Sequence, residues 1–359
     1  MSKRVFNFNP GPATLPFSVI QNASQAVLEY DNQGMSLIEM SHRSKQYEKI
    51  NAEAEDDMKK IMGLGDDYKV IFMGGGASLQ FTMIPMNMLT EGKTADYINT
   101  GEWSTRAIKE AKKVGNVNVA ASSEDRNFAY IPKNLALTPD SAYVHITTNN
   151  TIFGTQWQHI PEVGNAPLFA DMSSDILSTR LDFKKFSLIY AGAQKNLGPA
   201  GVTIVVIKKD LLGRIPENLP ITLNYKTHEK NSSLYNTPPV FSVYVVGQVL
   251  KWILEQGGLE AVEKVNRAKA DLLYGTLDSL NDFYSPNVDK DSRSWMNVTF
   301  RLKNEELEAK FIAEAKENDL IGLKGHRSAG GVRASTYNAL PLEGVEKLVD
   351  FMKKFKQNN

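Results

Sequence analysis

A chain of 359 residues suggests two domains and is long enough to bury a large core. Lys+Arg and Asp+Glu number 41 each, so no basic excess marks a nucleic-acid surface and any anion site has to be a local cluster. Cysteine is absent, which removes disulfides, thiolate metal sites and thiol nucleophiles together.

The N-terminus carries Pro10, Pro12 and Pro16 and lacks the apolar stretch of a signal peptide. The longest apolar runs fall far short of a membrane span. The expectation is a soluble cytoplasmic protein with neither nucleic acid nor membrane as a partner. Ser41-His42-Arg43-Ser44 is the first tight cationic cluster. A His-Arg pair on a loop is ordinarily solvated surface; the alternative is an anion site.

Lys69-Val-Ile-Phe-Met73 reads as a strand, and Gly74-Gly-Gly-Ala77-Ser78-Leu-Gln-Phe81 follows it into a helix. Such a turn lets backbone N–H groups approach a phosphate, with the helix N-terminus adding a favourable partial charge. A tight turn without ligand gives the same pattern. Thr94–Ile98 is the next strand, and Trp103 lies in Gly101-Glu-Trp-Ser-Thr105 close to a helix start. Ser141–Ile146 is a third strand, followed by the loop Asn149-Asn-Thr151-Ile-Phe-Gly154.

Pro167-Leu-Phe-Ala-Asp171 is a short apolar strand ending in a carboxylate. Leu188–Ala191 is another, and a Gly-rich turn then presents Lys195 before the β-branched run Val202–Ile207. A lysine held between two buried strands is expensive unless it has a task, because desolvation disfavours its charge. A lowered pKa is what a protein needs to form a Schiff base with an aldehyde cofactor. The plainer alternative is a lysine that snorkels to the surface beside a turn.

Asn236-Thr237-Pro-Pro precedes an apolar helix from Phe241 to Leu254 that stops at Gly257-Gly258. A helix over about Leu259–Leu280, a strand at Trp295–Phe300, a helix over Glu305–Asn318 and a last helix from Leu342 suggest a smaller domain. Between them Gly325-His326-Arg327-Ser-Ala-Gly-Gly-Val-Arg333 is the second cationic cluster. Gly330-Gly331 permits a sharp turn that brings Arg333 back near Arg327, and arginine suits bidentate recognition of carboxylate or phosphate. Strands alternating with helices argue for an α/β domain whose ligands gather at the carboxyl ends of the strands.

The segment Ala191-Gly-Ala-Gln194-Lys195-Asn-Leu-Gly-Pro-Ala-Gly201 resembles the cofactor-lysine segment of the phosphoserine aminotransferase family, class V, fold-type I enzymes using pyridoxal 5′-phosphate (PLP). The likeness covers nearly the whole chain, from Phe6-Asn-Phe-Asn-Pro-Gly-Pro-Ala13 to Tyr337-Asn-Ala-Leu-Pro-Leu-Glu-Gly344. It implies a fold-type I PLP transferase, with a large domain built on a mostly parallel seven-stranded sheet and a smaller α/β C-terminal domain. Residues 15–258 would form the large domain, and residues 1–14 and 259–359 the small one. It also implies a homodimer with shared active sites and one PLP per subunit, bound as a Schiff base to Lys195.

By the same resemblance, Ala77, Ser78 and Gln194 serve the cofactor phosphate, and Asn236 and Thr237 reach it from the neighbouring subunit. Trp103 stacks on the pyridine ring and Thr151 bonds its phenolic oxygen. Asp171 faces the ring nitrogen; a carboxylate about 4 Å away at an effective dielectric near 20 contributes roughly 4 kcal/mol, or about 3 pKa units, enough to keep that nitrogen protonated. Arg333 holds the substrate α-carboxylate, and His42, Arg43, His326 and Arg327 the distal phosphate or γ-carboxylate, some of them from the partner subunit.

Two positions depart from the family. Ser78 stands where many members have arginine, which shifts phosphate binding toward backbone amides, and Pro10 replaces a small residue and has no N–H to offer substrate. The expected reaction interconverts 3-phosphohydroxypyruvate plus glutamate with phosphoserine plus 2-oxoglutarate. The nearest alternative is an alanine/serine–glyoxylate type of transaminase, whose substrates have no distal anion for the extra cations. A PLP-holding binding protein without turnover would need neither Asp171 nor Lys195.

Overall fold

The computed structural model describes residues 4–359; residues 1–3 of the expected 1–14 segment lie outside them. The chain opens with strand β1 (Phe6–Asn7) and helices α1 (Phe17–Leu28) and α2 (Lys45–Met62). Helix α2 starts where the Ser44 hydroxyl accepts the Tyr47 N–H and stops at Gly63, whose φ of 65° places it in the left-handed region. Then come β2 (Tyr68–Met73), α3 (Gly76–Met88), β3 (Thr94–Asn99), α4 (Glu102–Ala111), β4 (Asn116–Ser122), β5 (Val144–Thr147), β6 (Leu168–Asp171), β7 (Leu188–Gly192) and β8 (Thr203–Lys208).

These seven strands form one sheet in the order β2-β8-β7-β6-β5-β3-β4. All pairings are parallel except those of β8, which runs against both neighbours. Side chains alternate across a strand, so each strand feeds two cores. Val70, Ile146, Ala170, Ile189 and Val206 face α1, α2 and a later helix over Val240–Glu255, whereas Ile71, Tyr143, Phe169, Tyr190 and Val205 face α3 and α4. Strands buried on both faces read as continuous apolar runs, which is why six of the seven are legible in the sequence. The seventh, β4, is an edge strand with mostly accessible residues, and Asn116-Val-Asn-Val-Ala-Ala-Ser122 carries too few buried positions to stand out. The strand expected at Ser141 begins only at Val144.

After α5 (Tyr225–Lys230), helices α6 (Val240–Glu255) and α7 (Gly258–Ser279) carry the chain to a third core. There β9 (Ser285–Pro286), β10 (Asn297–Arg301), α8 (Glu305–Glu317), β11 (Leu320–Ile321), β12 (Val332–Ser335) and α9 (Leu342–Gln357) assemble. A three-stranded antiparallel sheet, β12-β10-β9, and a parallel pair, β1-β11, pack with the helices around Phe8, Leu273, Tyr284, Phe300, Phe311 and Met352. The N-terminal strand thus packs with the C-terminal elements. Among the described residues no helix is long and apolar enough to cross a membrane.

One buried cation ties α7 to the segment after β12. Lys269 is fully buried, and its Nζ donates to the carbonyls of Thr336, Tyr337 and Leu340 at 2.9, 2.8 and 3.0 Å. Burial pulls its pKa down to about 7, while three acceptors match the three N–H bonds of an ammonium. Replacing it would leave three buried carbonyls without a donor. Lys269→Met is expected to destabilise the protein by about 2–4 kcal/mol in urea unfolding, the range for stranding buried polar partners.

Candidate active site

The loops that leave the carboxyl ends of β2, β3, β5, β6 and β7 converge on one cavity. It is lined by Gly76, Ala77, Ser78, Phe81, Trp103, Thr147, Asn149, Thr151, Asp171, Ser173, Ser174, Gln194 and Lys195. Seven of the expected site residues meet here because parallel strands point their carboxyl ends to the same side. Trp103 arrives one residue into α4; its indole N–H is buried and without a partner.

Lys195 sits in the turn between β7 and β8 and is only 9% exposed. Its Nζ donates to the Thr151 hydroxyl at 2.7 Å and lies 5.9 Å from the centre of the Trp103 ring. Burial is the main cause that lowers its pKa, to about 8; Arg333 pushes the same way, and Asp171 and Asp175 push back. The N-terminal segment closes over this lysine: the Ala13 N–H donates to the Gln194 carbonyl at 2.9 Å, and a Cβ on Gly11 would come within 3.1 Å of the Lys195 Cγ. Glycine is needed there for the close approach and for its φ of 128°.

Asp171 ends β6, is buried, and accepts the Ser173 N–H on Oδ1 at 2.9 Å. Burial raises its pKa, opposed by that hydrogen bond, by Lys195 and by Tyr190. On the other side of the cavity, helix α3 begins after Gly75 at φ 92°, and Gly75 supplies no side-chain cap. No acidic residue lies in its first turn, so the free N–H groups of that turn and the positive helix end are open to an anion. Ser78 is exposed and adds a hydroxyl rather than a charge.

Arg333 on β12 is 5% exposed, and its guanidinium donates to the Thr151 carbonyl at 3.0 Å. Its Nε has no partner, and burial lowers its pKa. Thr151 therefore touches Lys195 with its hydroxyl and Arg333 with its carbonyl. The turn expected at Gly330-Gly331 forms with both at φ 68°. It leaves His326 half-buried and Arg327 exposed, and His326 has its pKa lowered first by burial, then by Arg333 and Arg327.

Arg333, His326 and Arg327 are not among the residues lining this cavity, and neither are four further expected residues. Arg43 is exposed, and His42, half-buried, leaves its Nε2 without a partner. Asn236 and Thr237 are exposed, Asn236 lining a separate depression with Gly74, Leu79 and His228. Pro10 offers only its carbonyl, which accepts the Tyr337 hydroxyl at 2.9 Å.

Sequence reasoning passed over Phe81, Thr147, Asn149, Ser173, Ser174 and the deeper Asp175. Asp175 is buried, accepts from the Thr148 hydroxyl at 2.5 Å and the Gln156 amide at 3.2 Å, and has its pKa raised by burial to about 7. Asn149 donates to Ser174 Oγ and to Asn297 Oδ1, both at 2.7 Å. Polar residues crowded at strand ends, as in Thr147-Thr-Asn-Asn-Thr151 and Asp171-Met-Ser-Ser-Asp175, are the signal that marks them.

A buried amine of depressed pKa facing a buried carboxylate, beside an anion seat, on an α/β sheet of this order, defines the aminotransferase class. The chain belongs to the class-V aminotransferases, whose family model matches residues 5–348. It is 58% identical to the phosphoserine aminotransferase of Desulfosudis oleivorans, each chain covered in full. It is 54% identical to that of Geobacillus kaustophilus, 99% of both being covered. The solved phosphoserine aminotransferase of Bacillus circulans subsp. alkalophilus superposes with a TM-score of 0.97 at 52% identity over 99% of both chains.

The electrostatics of Lys195 carry a direct consequence. In the protein freed of small molecules, reaction of Lys195 with an amine-selective acylating reagent should rise with a midpoint near pH 8. Asp171→Asn removes a favourable charge and should move that midpoint down; Arg333→Gln removes an unfavourable one and should move it up. Peptide mass spectrometry across a pH series reads all three.

Proposed function

We propose that this chain is a PLP-dependent transaminase that interconverts 3-phosphohydroxypyruvate plus glutamate with O-phosphoserine plus 2-oxoglutarate, the amino-transfer step of serine biosynthesis. The observation that carries the reading is the pairing of Lys195 with Arg333 through Thr151. One is a buried amine with its pKa lowered to about 8, and the other a buried guanidinium with no carboxylate partner among the described residues. An unpaired buried guanidinium is costly unless an anion arrives, and an α-carboxylate is the anion every amino-acid substrate brings. Names of full-length relatives support the phosphoserine specificity.

The residues fit PLP. The first turn of α3 with Ala77 and Ser78, together with Gln194, suits a phosphate, and the partnerless Trp103 indole N–H and the half-satisfied Asp171 carboxylate await polar partners. A phosphoserine aminotransferase from Trichomonas vaginalis, 38% identical, is described as PLP bound. When bound, the cofactor supplies an electron sink for breaking the bond between the α-carbon and its hydrogen. Lys195 Nζ would anchor it covalently and is the amine that would take the α-proton of the substrate and return it. Asp171 would hold a proton at the ring nitrogen, Thr151 would donate its hydroxyl to the phenolic oxygen, and Trp103 would cover one face. Arg333 orients the substrate by its α-carboxylate.

His326 and Arg327 read the distal phosphate or γ-carboxylate, one cationic pocket serving both substrates of a ping-pong reaction. His42, Arg43, Asn236 and Thr237 belong to the same proposal as contributions to the partner's site. The exposure of Arg43, Asn236 and Thr237, outside the cavity lining of their own subunit, supports a homodimer with isologous shared sites. Residues 15–258 act as the cofactor-bearing unit, and residues 1–14 with 259–359 as the smaller one that brings Arg333.

Borohydride reduction of the yellow protein followed by peptide mapping should find the pyridoxyl group on Lys195; any other lysine overturns the site. Substrate reading is tested separately. Arg327→Ala should lose about 10- to 150-fold in kcat/KM on phosphoserine and glutamate while a slow alanine reaction is nearly unchanged, the effect of one charge-assisted contact. Equal losses on alanine would reject the distal-anion role.

Shared sites have their own test. Lys195→Ala and Thr237→Ala proteins, each impaired, should regain activity when mixed under conditions that exchange subunits. Half of the hybrid's sites are then intact. No recovery despite proven exchange means that each subunit completes its own site.

A further inference from the structure

We infer that Phe128, in the loop after edge strand β4, is a positioning residue for the second cationic cluster: with Ile152 and Phe153 it holds Ala329 of the His326–Gly331 turn beside Trp103, and so sets where the distal anion of the substrate is read. The inference deepens the proposed function and rests on its distal-anion reading.

The turn connects Lys324 and Val332, which pair across it, so it stands immediately before Arg333. Inside it is stiff. The His326 carbonyl accepts the N–H groups of Ala329 and Gly330 at 3.0 and 2.8 Å, and the Gly331 carbonyl accepts that of Gly325 at 2.9 Å. His326 Nδ1 accepts the Ser328 N–H at 3.2 Å, which puts the proton of the neutral ring on Nε2 as a donor for an anion. Arg301, on β10, backs the turn. Its guanidinium donates to the Ala329 carbonyl at 3.3 Å and pairs with the buried Glu308, and a Cβ on Gly330 or Gly331 would come within 2.9 or 2.6 Å of its side chain. What remains to be fixed is the position of the turn as a body.

That position is fixed from the cofactor-bearing unit. Phe128, Ile152 and Phe153 are buried together, and Trp103 and Ala329 pack against them. The Phe128 and Phe153 rings lie 4.8 Å apart between centroids, with planes at 51°. Ile152 and Phe153 continue the loop that carries Thr151, and the Phe153 carbonyl accepts the hydroxyl of Thr299, the register partner of Arg333, at 2.9 Å. One apolar cluster therefore joins the Thr151 loop, the Trp103 ring and the cationic turn.

Phe128 reaches this place through a disfavoured backbone. Asn127 and Phe128 have φ of 50° and 59°, a region that a bulky side chain rarely adopts. Such a conformation persists where its surroundings over-determine it. Here the Phe128 N–H donates to the Ser123 carbonyl at 2.8 Å, Arg126 pairs with Asp289 through two contacts of 2.8 Å, and the Ala129 carbonyl accepts the Asp289 N–H at 2.9 Å. A loop that needed only to turn would gain from glycine at this position. Phenylalanine instead supplies a ring that meets Phe153 and completes the seat of Ala329.

The test is steady-state kinetics of the holoenzyme on phosphoserine, glutamate and alanine. It compares the wild type with Phe128→Ala, Phe128→Leu, Arg327→Ala and the double variant Phe128→Ala/Arg327→Ala. Phe128→Ala should raise KM for phosphoserine and glutamate about 10-fold, the lower end of what one charge-assisted contact gives, with kcat within about twofold. The loss falls on KM because the distal anion is bound alike before and during the chemical step. Alanine, which has no distal anion, should react as with the wild type. Phe128→Leu, which keeps apolar bulk, should recover most of the loss. The double variant should lose little more on phosphoserine than Arg327→Ala alone, since both changes disable the same contact.

Equal losses on alanine, or losses that simply multiply in the double variant, would mean that Phe128 supports the site as a whole, and the inference is overturned. It is also overturned if Phe128→Ala behaves as the wild type while Arg327→Ala loses only on phosphoserine and glutamate; the distal-anion reading then stands. If Arg327→Ala itself loses alike on alanine, that reading falls and the inference falls with it. Circular dichroism identifies folded variants. If Phe128→Ala does not fold, Ala329→Gly, which removes the other side of the contact, decides the matter: its losses should be confined to phosphoserine and glutamate, and wild-type behaviour overturns the inference.

Discussion

An ammonium loses its hydration when it is buried, and Lys195 loses nearly all of its own while gaining only one hydroxyl partner. Most of what surrounds the cavity answers that loss. Asp171 and Asp175 favour the charge, Arg333 and the apolar strand walls oppose it, and the balance sets the amine near pH 8, where both protonation states are accessible. A direct carboxylate partner would lock the lysine as a cation, and a wholly apolar pocket would leave it neutral. The proposed role, in which Lys195 bonds covalently and also moves a proton, suits the intermediate setting.

Arg333 stands on one sheet and Lys195 in a turn between two strands of the other, so their alignment depends on how the two sheets are joined. The join is polar and buried. Asn149, in the loop after β5, donates to Ser174 Oγ and to Asn297 Oδ1 and accepts from Ser294 Oγ. Asn297 in turn donates to Ser335 Oγ and the Tyr337 hydroxyl, and Tyr337 reaches the Pro10 carbonyl. Lys269 fixes the next turn from below. Such networks are directional, whereas apolar contacts tolerate sliding; in a site where an ångström of misplacement costs two orders of magnitude, direction matters.

Fold alone does not select a substrate, because one scaffold of this kind supports many chemistries. In the proposed reading selection falls to a loop, His326 to Gly331, shaped by a turn that only glycines at φ 68° form easily. The same division of labour explains the pKa pattern. Groups on strands are shifted mainly by burial, as at Asp171 and His145, while the loop histidine is shifted by burial and by its arginine neighbours together.

The sequence by itself determined the alternation of strands and helices, the strand-end positions of Asp171 and Lys195, the Gly-rich turn before α3 and the family likeness. All of these are local: apolar runs, glycines and spacing are written along the chain, and parallel strands gather their carboxyl ends wherever they pair. Edge strand β4 escaped because one solvated face leaves no apolar run. Only the tertiary structure decided that Thr151 links Lys195 to Arg333, which lies 182 residues beyond Thr151 in the chain, that Asp175 is buried, and that His145 meets Tyr190. Those contacts join residues whose types are unremarkable in sequence. Desolvation and hydrogen-bond direction give them their chemistry, and both exist only once the strands are paired and the second sheet has closed over the first.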